Sequence, residues 1–490
     1  MGTSGIAKRK GLYMATRPNL EQLKKQAREF LNTLVQGDSQ ARERLFDVHP
    51  KYRDRAAQGP QRPVLADAQL LLAREHGFPS WPRLKRFVDD LERVDREAEE
   101  LRQAWLRGDE ATREKVRLAK RPHFVGDRFE NPGPDDELTS HDAHAVVAME
   151  KGYAGWGKYE SFLHLDPNVR DVIAAIRVGD LDRVRKILAE DPNASQSRWA
   201  GDYRPSHLGR ERGENKSGFE PGPDARVAND SIPLFVVSEA LFCGTNKRRN
   251  EYELAKALLA AGADPMIENH LPMTSACSFN DLGSVKALLE AGADVDGPGG
   301  HGVNLCYALF FGFTELSEFL GAQGAKVDLR FAAGLGWLKK VRSFLNTDGS
   351  LKPGAGSLAD PYRVEPDRPH NAPRTRDLVL QQALMFACLH DRLEVATFLM
   401  DQGASPSAIV TGLDVNCTVM HSLSQVATGA TMEKQEVEER RLPAVRLLLE
   451  YGYDLKVRDV QHDATALMWA EHAGAQRIAT LLRARNQQGA

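Results

Sequence analysis

Cysteine is scarce in this chain: five occur among 490 residues, and no two of them form a Cys-x-x-Cys pair. An odd number without such spacing excludes a disulfide framework and a cysteine zinc site, and indicates reduced thiols. No apolar run reaches the roughly 18 residues that a membrane-spanning helix needs. Basic residues do not exceed acidic ones, 65 against 68, so the chain lacks the positive face of a nucleic-acid binder. We therefore expect a cytoplasmic protein without membrane or nucleic-acid partners.

Local catalytic motifs are also missing. The sequence contains no phosphate loop, nucleophile elbow, metalloprotease helix or dinucleotide fingerprint. His141 and His144 could share one helical face as metal ligands, but no third ligand accompanies them. A duplicated segment has Ala66 and Gln69 at the same positions. We expect neither a metal nor a cofactor.

A repeated unit is the most informative feature that the sequence does contain. Residues 271–296 comprise two helix-length segments joined by a tight turn at Asn280-Asp281 and ended by Gly292. A glycine there supplies the left-handed conformation that closes a helix C-terminus. Similar endings recur at Gly262, Gly324, Gly403 and Gly452. A small residue lies four positions before each turn, in the alanine column Ala276, Ala308, Ala332, Ala387 and Ala470. We expect it where paired helices approach closely.

This pattern resembles the ankyrin repeat over residues 167–488. The family opens each unit with Thr-Pro-Leu-His, of which fragments remain near Thr465, His421 and Pro272. The resemblance implies an all-α solenoid of stacked helix pairs with short β-hairpin fingers, in a degenerate, bacterial type with long insertions. It further implies that His421 bonds the backbone of a neighbouring finger, and that the chain is chiefly a binding scaffold.

The first 165 residues carry their own duplication. Residues 67–87 match residues 142–162, and a Gly-Asp pair that opens a helix recurs at Gly37, Gly108 and Gly179. We predict a flexible N-terminus over residues 1–18, then divergent ankyrin-like helix pairs over residues 19–165 on the same solenoid. Asn19 is expected to cap the first helix. A separate helical domain is the alternative for this region.

Three insertions interrupt the repeats, at residues 195–230, 348–377 and 427–441. The first two mix glycine, proline, arginine and aromatics, which favours ordered irregular loops with a functional role. The step from Ala308 to Ala332 is too short for a full unit of about 33 residues, so one finger hairpin is expected to be missing there.

The position before the alanine column should point into the concave groove. It is occupied by Glu239, Ser275, Tyr307, Phe331, Phe386, Ser422 and Trp469, and nearby candidates are Phe242, Phe279, Phe310, Phe311 and His390. An apolar patch of this size is normally covered. The insertions could cover it as extra core, a protein or peptide partner could bind it, or the insertions could close a small-molecule pocket. In the first insertion we select Trp199, Tyr203 and Arg204 as binding residues.

Glu239 is a charged residue inside an otherwise apolar helix. Such a carboxylate needs a partner or a raised pKa, and an insertion arginine such as Arg204 or Arg210 would suffice. We predict a protein- or peptide-binding scaffold. The alternative is an enzyme whose acid–base chemistry uses Glu239 with one of three residues in the first insertion: Asp202, His207 or Asp230.

Overall fold

The computed structural model describes residues 19–49, 52, 62–76, 78, 80–119, 137–151, 153, 155–163, 165, 167–196, 232–360, 374–411, 416–426 and 431–488. Within these ranges the chain is helical, and β structure is confined to isolated bridges. The described residues divide into two compact units, residues 19–170 and residues 171–488. None of the described helices is both long enough and apolar enough to cross a membrane.

The first unit is helical over most of its described residues. They are α1 Leu20–Val35, α2 Ser39–Val48, α3 Leu65–Glu75, α4 Trp81–Leu106, α5 Glu110–Leu118, α6 Ser140–Glu150 and α7 Trp156–Leu163. The side chain of Asn19 caps α1 by accepting a hydrogen bond from the Gln22 amide at 3.0 Å, as predicted. Helix α1 buries the apolar stripe Leu23, Ala27, Phe30 and Leu34.

The Gly-Asp pairs open helices as the sequence predicts. Gly37, Gly108 and Gly179 all have positive φ, between 69° and 91°. The aspartate that follows each glycine caps the next helix by accepting a hydrogen bond from the amide three residues later. The glycine thus reverses the chain, and the aspartate starts the second helix of each pair.

The described helices of the second unit form pairs, and the first of them, α8, begins four residues before the boundary of the unit. Its helices are α8 Pro167–Arg177, α9 Leu181–Glu190, α10 Pro233–Phe242, α11 Glu251–Ala260, α12 Ile267–Ser278, α13 Leu282–Glu290, α14 Val303–Phe310, α15 Thr314–Ala322, α16 Leu329–Gly334, α17 Leu338–Ser343, α18 Arg376–Leu389, α19 Leu393–Asp401, α20 Val419–Ser424, α21 Lys434–Glu450, α22 Ala466–Ala473 and α23 Gln476–Gln488. In most pairs the first, inner helix packs against the inner helix of the next pair, and the outer helices pack likewise. This is the ankyrin-like arrangement that the sequence predicts.

The alanine column occupies equivalent sites in successive pairs, which confirms its prediction. In six copies the amide that follows a left-handed turn residue donates to the alanine carbonyl. The donors are Thr245, Asp281, Phe313, Trp337, Arg392 and Ala475, the acceptors are Ala240, Ala276, Ala308, Ala332, Ala387 and Ala470, and the distances are 2.8–2.9 Å. All six alanines are fully buried. Phe78 to Ala73 and Tyr153 to Ala148 repeat this bond in the first unit.

In the described residues, short fingers closed by a bridge precede the inner helices α20 and α22. Antiparallel bridges join Val410 to Cys417 and Arg458 to Thr465. In the last finger Asp459 accepts hydrogen bonds from three backbone amides and so fixes the hairpin. His421 donates from Nε2 to the Ala464 carbonyl at 2.9 Å, which confirms the predicted repeat histidine.

The third insertion contains the start of outer helix α21. Glu438 accepts hydrogen bonds from the first amides of α23, those of Arg477 and Ile478, at 2.6 and 2.9 Å. Arg441, one turn later, donates to three carbonyls at the end of α20, including Leu423, which stands at the alanine position. Each charge complements the dipole of the helix end that it caps. Arg441 therefore replaces the usual turn at this helix end.

Substituting Arg441 by methionine should destabilise the protein by about 3 kcal/mol, because buried carbonyls lose their donors. The neighbouring Arg440 is partly exposed and pairs with Glu436 at 3.2 Å. Arg440→Met should therefore cost less than about 1 kcal/mol. Urea unfolding of the two variants measures the difference, and equal losses would contradict the capping role.

Candidate functional site

An aromatic cluster lies at the end of inner helix α14. Tyr307, Phe310 and Phe311 are half-buried. The rings of Tyr307 and Phe311 are nearly parallel at 6.2 Å, and Phe310 meets Phe311 edge-on at 5.2 Å. Gly312 ends the helix with φ of +76°, which turns the chain immediately after these rings. The turn thus holds three large aromatic side chains together at one helix end.

Two further aromatics lie at the ends of the preceding inner helices. Phe242 is the last residue of α10 and Phe279 follows the last residue of α12. Their half-buried rings stack at 4.8 Å, and buried Phe235 contacts Phe279 edge-on at 5.9 Å. The same turn geometry therefore positions aromatics in three successive pairs.

Trp469 lies in the last inner helix, α22, and is half-buried. Its indole N–H donates to Asp459 at 3.2 Å. His421 and His462 contact its ring at 5.6 and 5.8 Å. Its polar edge is thus held by the finger while part of the ring stays accessible.

The expected exposure of Phe331 and Phe386 is wrong, since both side chains are fully buried. Their rings lie 6.1 Å apart inside the second unit. Phe386 is covered by close helix packing at Gly334, where an added Cβ would lie 2.5 Å from a Leu309 methyl and 3.2 Å from the Cβ of Phe386. Phe331 is covered at Gly302, where it lies beside Leu358. A role for these two residues in binding stays a prediction.

His390 is also an interior residue. Its Nε2 donates to the Leu309 carbonyl at 2.8 Å, and its Nδ1 lies 3.0 Å from the Thr314 hydroxyl. Burial lowers the pKa of the His390 imidazole to about 3, so the ring is neutral at physiological pH. These contacts join the ends of α14 and α18 and make His390 a structural residue.

Glu239 forms a buried ion pair with Arg177 at 2.7 Å. The adjacent Ser238 hydroxyl donates to Asp281, also at 2.7 Å. The charge that stood out in the apolar helix thus has a structural partner on α8. The other residues proposed for this region lie outside the described residues: Trp199, Asp202, Tyr203, Arg204, His207, Arg210 and Asp230.

His144 is buried and lies 2.7 Å from Asp95 through its Nε2, while His141 is exposed. Within the described part of the chain, no group of three or more His, Cys, Asp and Glu side chains could hold a metal ion. The paired-histidine hypothesis thus gains no further ligand.

Sequence reasoning missed a buried charge network around Arg330. This fully buried guanidinium pairs with Asp328 and Asp360, each at 2.8 Å, and Asp360 also pairs with Arg374 at 2.8 Å. Gln382 accepts a further hydrogen bond from Arg330. The available signal was a charged residue two positions before the column alanine Ala332, the same kind of signal that drew attention to Glu239.

A scan against protein-family models and a search of curated proteins find no match. Solved structures that resemble the chain include the crystal structure of the human ASB11 ankyrin repeat domain. The two are 18% identical, the alignment covers 64% of this chain and 96% of that one, and the TM-score is 0.27. At that TM-score the likeness adds no weight to the helix pairs described above.

The buried His390 predicts a pH dependence of stability. Its folded pKa lies below the unfolded value of about 6.5, so its neutral form favours folding. This contribution is complete above pH 6.5 and is lost by about 1.4 kcal/mol per pH unit as the pH falls toward 3. His390→Gln should flatten the decline in urea-unfolding free energy between pH 7 and 5. The exposed control His462→Gln should leave it unchanged, and identical slopes in all three proteins would refute the assignment.

The Arg177–Glu239 pair predicts strong coupling between two substitutions. Glu239→Leu alone should cost about 3 to 5 kcal/mol, because a buried guanidinium loses its carboxylate. The double variant Arg177→Met, Glu239→Leu should recover at least half of that loss. A double-mutant cycle by urea unfolding measures the coupling, and additive losses would show that the pair is unimportant.

Proposed function

We propose that the chain is a scaffold that binds a protein or peptide partner in the groove formed by its inner helices. The observation that carries the proposal is the contiguous, half-buried ring cluster of Tyr307, Phe310 and Phe311. Aromatic side chains held rigidly beside one another bring large contact area at low entropic cost. Such residues dominate the energies of protein interfaces.

Trp469 supplies a second anchor in this proposal, and Phe242 and Phe279 extend the aromatic row. Phe331 and Phe386 act beneath the surface, where their packing keeps α16 and α18 rigid. Trp199, Tyr203 and Arg204 would contribute selectivity from the first insertion. No described contact supports the enzymatic alternative, because Glu239 is engaged with Arg177.

Tyr307→Ala should weaken partner binding by at least about 10-fold, because an interface anchor is typically worth 2 kcal/mol or more. The matched control is Tyr451→Ala, which removes a tyrosine that is 40% exposed and bonds Asp401 at 3.3 Å after outer helix α21. Quantitative affinity capture with wild type and both variants identifies proteins lost only with Tyr307→Ala. Binding constants for the purified candidates then give the fold-change.

Both variants should keep the wild-type melting temperature within a few degrees, which separates binding from folding. Retention of every captured protein by Tyr307→Ala, or equal losses with Tyr451→Ala, would remove the aromatic cluster from the proposal.

A further inference from the structure

An irregular segment that begins in a turn follows the short pair α16–α17 and packs back onto it. We call residues 355–360, with the sequence Ala-Gly-Ser-Leu-Ala-Asp, the strap. In an ordinary copy a finger precedes the inner helix, but only six residues, 323–328, separate α15 from α16. The strap therefore replaces a missing finger with chain that comes after the helix pair, which accounts for the short step in the sequence.

The backbone at the start of the strap is bound to the N-terminus of α16. The Leu329 amide donates to the Ala355 carbonyl at 3.0 Å, and the Leu358 amide donates to the Asp328 carboxylate at 3.2 Å. Asp328 caps α16 at the same time by accepting from the Phe331 amide at 3.1 Å. Asp328 thus joins the strap to the N-terminus of α16 while it caps that helix.

The backbone at the end of the strap is bound as well. The Ala359 amide donates to the His301 carbonyl at 2.9 Å, and the Cys306 thiol donates to the Ala359 carbonyl at 3.2 Å. Arg330 donates to the Leu358 carbonyl at 2.7 Å. These bonds are made to main-chain atoms of the strap, so they do not depend on the identity of its side chains.

The side chains of the strap fit closely. A Cβ on Gly356 would lie 2.5 Å from a methyl of Val379, so only glycine fits there. Ala355 and Ala359 are buried, Leu358 lies against Gly302 beside Phe331, and Ser357 is exposed. The site therefore favours a small residue at position 355, glycine at 356, any residue at 357, leucine at 358 and a small residue at 359.

The last residue of the strap, Asp360, is acidic. The Asp360 carboxylate lies between Arg330 and Arg374, 2.8 Å from each. Arg374 also donates to the Gly356 carbonyl. Removing a carboxylate from two largely buried guanidinium groups is costly, so the position favours an occupant that carries one.

We propose that the strap is an internal ligand of a peptide-recognition site, and that a partner segment of the form small-Gly-x-Leu-small-Asp can take its place in the same irregular conformation. The inference rests on the proposed function, since it names the chemistry of one partner segment. The strap belongs to no helix, and its contacts to the site are side-chain and hydrogen-bonding contacts that such a segment can reproduce. The strap thus competes with the partner segment for the site, and its effective concentration is high because it belongs to the same chain.

The test uses the full chain with Leu358→Ser and Asp360→Ser, which weaken the strap. The probe is a fluorescein-labelled, end-capped synthetic peptide with the sequence of residues 353–360. The variant should bind it at least 10-fold more tightly than wild type, by fluorescence polarisation. Peptides with alanine at the position of Gly356 or asparagine at that of Asp360 should bind at least 10-fold more weakly. The proposal is overturned if a folded variant does not bind the probe, or if it binds the altered peptides as tightly as the original peptide.

If the variant does not fold, hydrogen exchange of the wild-type chain tests the proposal instead. The amides of Leu358 and Ala359 should exchange at least 10-fold faster than that of Phe313, because the strap opens without global unfolding. Equal protection would make the strap a permanent part of the core and overturn the proposal. Neither measurement uses the unidentified partner of the aromatic cluster, so failure here leaves the Tyr307 result standing, and the reverse also holds.

Discussion

The hydrogen bond from the first amide after each left-handed turn residue to the alanine carbonyl is the constraint on which the second unit depends. It closes the inner helix, satisfies a carbonyl that would otherwise be unpaired and starts the outer helix within two residues. The methyl side chain of the acceptor residue allows neighbouring helices to approach closely. The aromatic cluster follows from the same geometry, because Phe311 and Phe279 stand directly before the turn residue of their copies. The candidate binding surface is thus a consequence of how the helices end.

Where the chain departs from the repeat, the carbonyls at helix ends still need hydrogen-bond donors. Where α20 lacks the turn, the guanidinium of Arg441 supplies donors to its last carbonyls, among them that of Leu423 at the column position. Where a finger is missing before α16, the strap supplies the backbone partners and Arg330 fixes it. A buried arginine costs much desolvation free energy, and burial lowers the pKa of Arg441 to about 10. Both arginines therefore occur where backbone carbonyls need donors that the repeat does not provide.

Local features of the sequence predicted the helix pairs and the turns within them. Glycine or asparagine at a fixed distance after an alanine encodes a helix end, and the turn bonds at Ala276 and Ala308 confirm it. The burial of Phe331 was not predicted because it depends on Leu358 and Phe386, which lie 27 and 55 positions downstream. The sequence likewise marked Glu239 as unusual but could not identify Arg177, because the two lie 62 positions apart. Pairings of this kind are set by the stacking of helices and not by local spacing.

Native-state hydrogen exchange of the amides that donate to the alanine column tests the central claim most directly. The amides of Asp281, Phe313, Arg392 and Ala475 stand at turns, where exposed backbone would exchange within seconds to minutes. The account predicts protection as high as that of amides in the middle of the adjoining inner helices. Exchange at the rate of unstructured loops would show that these bonds do not hold the helix pairs, and the framework argued from them would then be contradicted.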